Sequence, residues 1–303
     1  MKKKGGILLV LIMIALFSAR GLFRHYYFVI PIEFLNAYQI PCTSVEIEGN
    51  RYQVEIDLGA KTALSLRIDV LEKLKKDPCG TSRRIDFRGN QYETSLYLIP
   101  EVKVGGLLLK KIKAKEESIH FATKASVLIE ANEPFNAGRI GRDFFLGKNI
   151  GMDFGHCTLV ACSQLKDLRT AGYAIHKWRA CPFKSTADGI VLEFETDMGK
   201  RKFVLDTGAT VSVFKWQEGQ GHSIKQRNGM EIIETSKFAI DGIDLGHRVL
   251  YLLEMAQEFK EIDGLLGMDF LKEYLLYLDF TKETAYIGKS AEESVVGVGC
   301  SHF

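Results

Sequence analysis

The sequence predicts a mostly β protein made of two similar lobes, and an internal repeat is the first reason. Residues 54–60 (VEIDLGA) and residues 203–210 (FVLDTGAT) carry the same phrase around a central aspartate. Downstream, residues 140–145 (IGRDFF) and residues 266–271 (LGMDFL) carry a second shared phrase. Segments that match twice in the same order indicate two copies of one fold, each presenting one carboxylate.

Alternating apolar and polar residues give the second reason, because a period of two is typical of half-buried strands. In the first half the alternation runs on either side of Gly49-Asn50, and in the second half on either side of a turn near residues 197–199. Both patterns predict a β-hairpin. Asp57 and Asp206 each stand where the second strand of such a hairpin ends. A glycine two positions later permits a tight turn there.

A further hairpin is predicted after the aspartate in each half. Gly89-Asn90 separates two short alternating runs in the first half, and Asn228-Gly229 does the same in the second. Asn-Gly is a strong hairpin signal because both turn residues adopt positive φ. Tyr92 lies on the strand that follows the first of these turns.

Little helix is predicted. Helical spacing of apolar residues occurs over residues 67–76, and residues 270–276 indicate a second short helix. The charge run at residues 110–117 (KKIKAKEE) is interpreted as a solvated loop or helix face.

The 303 residues are enough for two lobes with separate cores. A lapse in periodicity after the first lobe, interrupted by basic residues, indicates a linker. The sequence therefore predicts a signal anchor and juxtamembrane segment (1–37), a first lobe (38–162), a linker (163–186), a second lobe (187–290) and a tail (291–303).

Composition excludes several classes of function. A net charge of +2 gives no reason to expect nucleic acid as a partner. The chain has no zinc-finger, phosphate-loop or dinucleotide motif, so no cofactor is expected. The seven histidines are scattered without paired-ligand spacing, so no metal site is expected.

The N-terminus has the layout of an export signal. Three lysines at residues 2–4 precede an apolar run over residues 7–17. We favour an uncleaved signal anchor, with a cleaved signal peptide as the alternative. In both cases the lobes are expected outside the cytoplasm, on the periplasmic side in a bacterium. Six cysteines fit an exported chain and leave the disulfide pairing open.

Two facing carboxylates define the expected chemistry. At short distance they cannot both ionise cheaply, so they share one proton. The ionised carboxylate can activate a water molecule as a base, and the protonated one can donate to a carbonyl oxygen. This is acid–base hydrolysis of a peptide bond. The titration belongs to the pair, so the sequence assigns the proton to neither residue.

The repeated phrases resemble those of a known family. Residues 206–210 (DTGAT), followed by residues 265–267 (LLG), resemble the active-site segments of aspartic peptidases of the retropepsin and pepsin type. Residues 57–60 (DLGA), followed by residues 139–141 (RIG), resemble the same pair in degraded form. The resemblance covers most of the chain between the N-terminal segment and the tail.

The resemblance implies two closed β-barrel lobes related by a pseudo-two-fold axis, with the active-site cleft between them. It implies Asp57 and Asp206 as the catalytic pair, on one chain, so that no homodimer is required. The residues expected to support the pair are Gly59, Ala60, Thr207, Gly208, Ala209 and Thr210. The residues expected in flaps over an extended peptide substrate are Gly89, Asn90, Tyr92, Asn228 and Gly229.

One position departs from the family pattern. In the family the threonine after each aspartate hydrogen-bonds across to the other lobe; Thr207 can do this and Leu58 cannot. Two hypotheses follow. The favoured one is an aspartic endopeptidase, anchored at the membrane or exported, that acts on extracytoplasmic proteins. The alternative is a catalytically inactive peptide-binding or envelope-scaffold protein with the same two-lobed fold.

Overall fold

The structure is a computed structural model that describes residues 26–34, 39–85, 91–117, 136–219, 221–256 and 259–289. The predicted signal anchor and tail lie outside the described residues, as does the Gly89-Asn90 turn. Within the described ranges, no helix combines the length and the apolar composition needed to cross a membrane.

Strands dominate the first half of the described chain. They are β1 (Tyr27–Pro31), β2 (Cys42–Ile47), β3 (Asn50–Asp57), β4 (Leu64–Leu66), β5 (Asp77–Ile85), β6 (Gln91–Val104), β7 (Leu107–Glu116), β8 (Gly138–Gly141), β9 (Asn149–Asp153) and β10 (Thr158–Cys162). Two short strands follow in the connection between the halves, β11 (Arg179–Pro182) and β12 (Lys184–Ser185).

The second half is built in the same way. Its strands are β13 (Ile190–Thr196), β14 (Gly199–Leu205), β15 (Val213–Lys215), β16 (Lys225–Arg227), β17 (Met230–Thr235), β18 (Phe238–Ile240), β19 (Ile243–Asp244), β20 (Arg248–Leu253), β21 (Gly264–Leu266), β22 (Tyr274–Asp279) and β23 (Thr284–Lys289). The described helices are short: α1 (Ile68–Leu71), α2 (Leu165–Thr170), α3 (Trp216–Gly219), α4 (Met268–Leu271), and 3-10 turns at Arg142–Phe145 and Ile175–Lys177.

The first lobe is a closed barrel. Its strands pair in the order β2-β3-β8-β4-β7-β6-β5, and β2 also pairs with β6, which closes the ring. Closure removes exposed strand edges and encloses a core of inward-pointing side chains. Val45, Val54, Leu64 and Ile99 are fully buried inside it.

The second lobe repeats this pairing register. β3 runs parallel to β8 with Ile56 opposite Ile140, and β14 runs parallel to β21 with Leu205 opposite Leu266. Each aspartate comes one residue after this pair. Residues at the same place in the two registers are called matched positions below. The all-β, two-lobed prediction is thus confirmed.

A third sheet joins the lobes. Its strands lie in the order β1-β10-β9-β22-β23-β11, and the pairing of β9 with β22 connects the two halves. The sequence did not predict this sheet, because its edge strands are too short to show alternation. β1 lies within the segment predicted as juxtamembrane, and β11 and β12 lie within the predicted linker. Those segments are therefore structured parts of the fold where they are described.

The second lobe has an aromatic core. Phe194 stacks on Phe238 with ring centroids 4.5 Å apart, and Phe203 and Phe270 meet them edge-on. Such contacts add to the stabilisation from area burial alone. The first lobe is filled mainly by aliphatic side chains.

Local predictions needed three corrections. The first hairpin turns at Glu48-Gly49, both at positive φ, one residue before the predicted Gly49-Asn50. Within residues 67–76 only Ile68–Leu71 is helical. Of residues 270–276, Phe270 and Leu271 end the helix Met268–Leu271, and the last three residues already belong to β22, which begins at Tyr274. Every residue of β22 is buried, and a fully buried strand has the continuous apolar run that is easily confused with a helix.

The charge run was also misassigned, because it lies in β7. Its lysines at positions 110, 111 and 113 face solvent, while Ala114 is buried in the barrel. Lysines on the outer face of a strand therefore produced the pattern interpreted as a loop or helix.

The cysteines have differing states. Cys157, in the turn between β9 and β10, is disulfide-bonded. Cys79, Cys162 and Cys181 carry thiols. Burial raises the pKa of Cys162 and of Cys181 to about 12, so neither is a reactive thiolate at neutral pH.

Candidate active site

Asp57 and Asp206 meet where the two lobes touch. A Cβ atom added to Gly59 would lie 2.5 Å from Asp206 Oδ1, and one added to Gly208 would lie 2.7 Å from Asp57 Cγ. Each glycine therefore packs directly against the aspartate of the other lobe. No larger residue fits at either position without displacing a carboxyl group.

Backbone amides orient both carboxyl groups. Ala60 N donates to Asp57 Oδ1 at 2.9 Å, and Gly208 N donates to Asp206 Oδ1 at 2.9 Å. Asp57 is only 6% exposed. These donors, three residues after Asp57 and two residues after Asp206, each hold one oxygen of a carboxyl group in place.

Thr207 braces the site from the second lobe. Its hydroxyl donates to Ile56 O at 2.7 Å and accepts from Leu58 N at 2.9 Å. Leu58, at the matched position, is fully buried and packs in the core. A leucine has no hydroxyl to make the reciprocal bonds to the second lobe, so the brace is one-sided.

The titration of Asp206 is strongly perturbed. The pKa of Asp206 is raised to about 7, mainly by burial and then by the charge of the neighbouring Asp57, while Gly208 N–H and Arg139 act in the opposite direction. The pair therefore retains a proton up to near-neutral pH. A perturbed carboxyl of this kind is typical of functional sites.

An arginine contacts the pair from the first lobe. Arg139 forms an ion pair with Asp57 through Nη1 and Oδ2. Its Nη2 lies 3.4 Å from Glu117 Oε1 and 3.8 Å from Glu55 Oε2. Burial acts to lower the pKa of Arg139, but the charges of Asp57, Glu117 and Glu55 outweigh it and raise the pKa. Burial also raises the pKa of Glu55.

No local sequence pattern marks Arg139, Glu55 or Glu117 as functional residues. One signal was present: in RIG, Arg139 stands where LLG has the apolar Leu265. The partners of Arg139 lie on β3 and at the end of β7, far away in the chain, so the pattern alone could not reveal the ion pairs.

The supporting residues hold the loops mainly through their backbones. Ala60 O accepts from Arg142 N at 2.9 Å, and Ala209 O accepts from Met268 N at 2.8 Å. Thr210 is exposed, and its carbonyl accepts from the amide of residue 269.

Ser212 is a further residue of the site that was not predicted from the sequence. Its hydroxyl donates to Asp269 Oδ1 at 2.7 Å and accepts from Gly267 N at 3.1 Å. Ser212 therefore secures the closing glycine of the second lobe. No motif marked it, because a serine just before a short strand is common.

The predicted flap residues fall on hairpins. Asn228 (φ 54°) and Gly229 (φ 75°) form the two-residue turn between β16 and β17, and both are exposed. Tyr92 lies on β6 opposite Arg84 of β5. The turn residues Gly89 and Asn90 are outside the described chain. The role of these hairpins as flaps stays a prediction.

Among the solved structures similar to this protein, two match most of the chain. An aspartic proteinase from Irpex lacteus is 11% identical with a TM-score of 0.59, covering 87% of this chain and 97% of that chain. Basic 7S globulin from soybean is 10% identical with a TM-score of 0.57, covering 91% and 98%. No family model matches the sequence, and no curated protein does.

At such low identity the likeness shows the fold alone. The chain has an all-β, two-lobed, pepsin-like fold, as the resemblance implied. Of the two neighbours, one is named as a proteinase and the other as a globulin.

Proposed function

We propose that this protein is an aspartic endopeptidase that hydrolyses peptide bonds with Asp57 and Asp206. The observation that carries the proposal is the meeting of the two carboxyl groups at the lobe interface, each beside the glycine of the other lobe. The pepsin-like fold and the raised pKa of Asp206 support it.

The chemistry follows from the shared proton. The ionised carboxylate accepts a proton from a water molecule held between the two groups, and that water attacks the peptide carbonyl. The protonated carboxyl donates to the carbonyl oxygen, and the tetrahedral intermediate then collapses with protonation of the leaving amine. Backbone donors at Ala60 and Gly208 hold both carboxyl groups in place for these transfers.

The substrate is proposed to be a protein segment bound in extended form, held by backbone hydrogen bonds with pockets for alternate side chains. The flap hairpins would cover it. The export-type N-terminus supports a location outside the cytoplasm, with extracytoplasmic proteins as substrates.

A second function is favoured by specific observations. Leu58 leaves the brace one-sided, and Arg139 occupies one oxygen of Asp57. Both features fit a peptide-binding or scaffold protein that kept the fold without turnover. The fold of a soybean globulin is similar as well.

Cleavage of an unfolded protein by the full-length chain between about pH 3.5 and about pH 8 tests the proposal. Asp57→Asn and Asp206→Asn are run beside it, with Glu193→Gln as a control at an exposed strand carboxylate. Cleavage that requires both aspartates and survives the control supports the peptidase. Peptide binding without cleavage at any pH, unchanged in both Asn variants, supports the binding protein.

A further inference from the structure

The environment of Asp57 differs from that of Asp206 through one cluster of charges. Arg139 contacts Asp57, and Glu55 and Glu117 contact the same guanidinium. Asn136 Nδ2 donates to Glu55 Oε1 at 2.9 Å, which holds that glutamate in place. The Arg139 side chain is 16% exposed, so the cluster is largely removed from water.

The strand registers show what occupies these places in the second lobe. Glu55 is opposite Arg139 in the first lobe, as Val204 is opposite Leu265 in the second. Leu66 is opposite Glu116 in the first lobe, so Glu117 comes one residue after that pair. In the second lobe the residue at the position that matches Glu117 is Leu253, which is opposite Lys215.

Val204, Leu253 and Leu265 pack in one small apolar cluster. The first lobe thus has three charges where the second has three aliphatic side chains. Burying an ion cluster in place of an apolar one is often neutral or unfavourable for stability. Packing alone therefore gives no reason for the charges, and the contact with Asp57 does.

Both oxygens of Asp57 accept donors from this arrangement. Oδ1 accepts Ala60 N, and Oδ2 faces Arg139 Nη1. A proton on Asp57 would remove the negative charge that strengthens both of these interactions. The other nearby guanidinium, that of Arg142, donates instead to the carbonyl oxygens of Gly59, Thr186 and Ala187.

We propose that Arg139 is a positioning residue that keeps Asp57 as the negatively charged member of the pair and places the shared proton on Asp206. This inference rests on the proposed function, since it assigns the base role to Asp57 and the acid role to Asp206. The raised pKa of Asp206 agrees with it.

The charged groups around the two aspartates determine how the titration of the pair should change when Arg139 is replaced. Asp206 faces Asp57 and Arg139, and Arg139 faces Asp57, Glu117, Glu55 and Asp206. Removal of the guanidinium takes away the positive charge that favours ionisation of both aspartates. The proton of the pair should then be released at a pH higher by about one unit or more, and it should no longer belong to one residue.

The test follows the titration of isotope-labelled aspartate carboxyl carbons by NMR in the full chain. In the wild type, one aspartate carboxyl carbon should titrate near pH 7. Its signal should be missing in Asp206→Asn and should be present, with a lower midpoint, in Asp57→Asn. The variant Glu55→Val/Arg139→Leu/Glu117→Leu gives the first lobe the apolar trio of the second. In it the proton should no longer belong to one residue, so two carbons should titrate together. The loss of the two glutamate charges opposes the rise in midpoint that the loss of the guanidinium alone would cause.

Two further variants serve as controls. Arg139→Lys retains the charge and should retain the wild-type assignment, which also covers the case in which the triple variant does not fold. Arg201→Met removes another partly buried ion-paired arginine, the partner of Asp263, and should leave the titration unchanged. A wild-type carbon near pH 7 that belongs to Asp57, or a triple variant that titrates as the wild type does, overturns the proposal.

Cleavage measured on the same samples separates this inference from the proposed function. If the titration behaves as expected and neither the wild type nor any variant cleaves a substrate, the proton assignment stands and the peptidase proposal fails. If cleavage requires both aspartates but the triple variant titrates like the wild type, the peptidase stands and the role of Arg139 fails.

Discussion

The two lobes share one fold but bring different chemistry to the place where they meet. The second lobe contributes hydroxyl groups, with Thr207 bonded across the interface and Ser212 bonded to its own closing loop. At the matched positions the first lobe has Leu58 and Leu64, both fully buried. Its charged contribution is instead Arg139, which is paired with Asp57.

This difference teaches that a repeated fold constrains backbone geometry far more than side-chain chemistry. The amide donors to the two aspartates are nearly equivalent in distance. Yet one carboxyl group faces a guanidinium and the other has a pKa raised to about 7, with burial as the main cause. A symmetric frame thus supports an asymmetric acid–base pair.

The largest expected effect is at the aspartates, where the lobes should be equally necessary. Asp57→Asn and Asp206→Asn should each lower kcat of peptide cleavage by about 10²–10⁴-fold, because each removes one partner of acid–base catalysis. Steady-state kinetics on the full-length chain measures this. An Asn variant in one lobe that keeps wild-type kcat would show that only the other aspartate reacts.

The second-largest expected effect is the loss of stability when Arg139 is removed from the charged cluster. Arg139→Leu alone should lower the free energy of unfolding by about 3–5 kcal/mol, because it leaves buried carboxylates without their partner. The triple change to Val, Leu and Leu at positions 55, 139 and 117 should be near neutral or stabilising. Urea unfolding compares the two. Equal stability of Arg139→Leu and the wild type would contradict a paired cluster.

The third-largest expected effect is the pH dependence of stability and of cleavage, which follows from the raised pKa of Asp206. The pKa of Asp206 in the folded chain, about 7, lies above its ordinary value of 3.8, so between these pH values the folded state binds more protons than the unfolded state. The free energy of unfolding should therefore fall as pH rises through this window. In Asp206→Asn, the free energy of unfolding should fall less steeply with pH, as measured by urea titrations at several pH values.

The rate of cleavage should also decline by about tenfold per pH unit above the pKa of Asp206.

A smaller effect is expected at the one-sided brace. Thr207→Val should cost about 1–3 kcal/mol, because Ile56 O and Leu58 N lose their buried partner. Thr207→Ser keeps the oxygen and should retain most of the stability. Thermal unfolding of both variants measures the difference. If valine and serine were equivalent, the cross-lobe hydrogen bonds would contribute little.

The smallest effect is expected at the second-lobe flap hairpin. Gly229 has φ 75°, so Gly229→Ala should cost about 1–2 kcal/mol, whereas Gly229→Asn tolerates that conformation better. The turn is exposed, so the core should stay intact. Circular dichroism with thermal unfolding checks the order of the two variants. Greater damage from asparagine would contradict the observed turn geometry.

The sequence by itself determined the two lobes and the two aspartates. Period-two alternation and turn residues act over short stretches, so the hairpins before Asp57 and Asp206 could be predicted directly. The repeat of both phrases then indicated that the two copies belong to one fold. The error at β22 arose because burial of both faces overrode the local pattern. The errors at the first hairpin turn and in the charge run of β7 arose at exposed positions, where the local pattern fits more than one structure.

Only the tertiary structure decided how the two carboxyl groups differ. Arg139 and Asp57 are 82 residues apart in the chain, and Thr207 bonds to a carbonyl 151 residues away. The central sheet likewise depends on pairing between β9 and β22 from separate halves. Such contacts form only when the barrels close and dock, because they depend on distances in space that no local pattern of residues encodes.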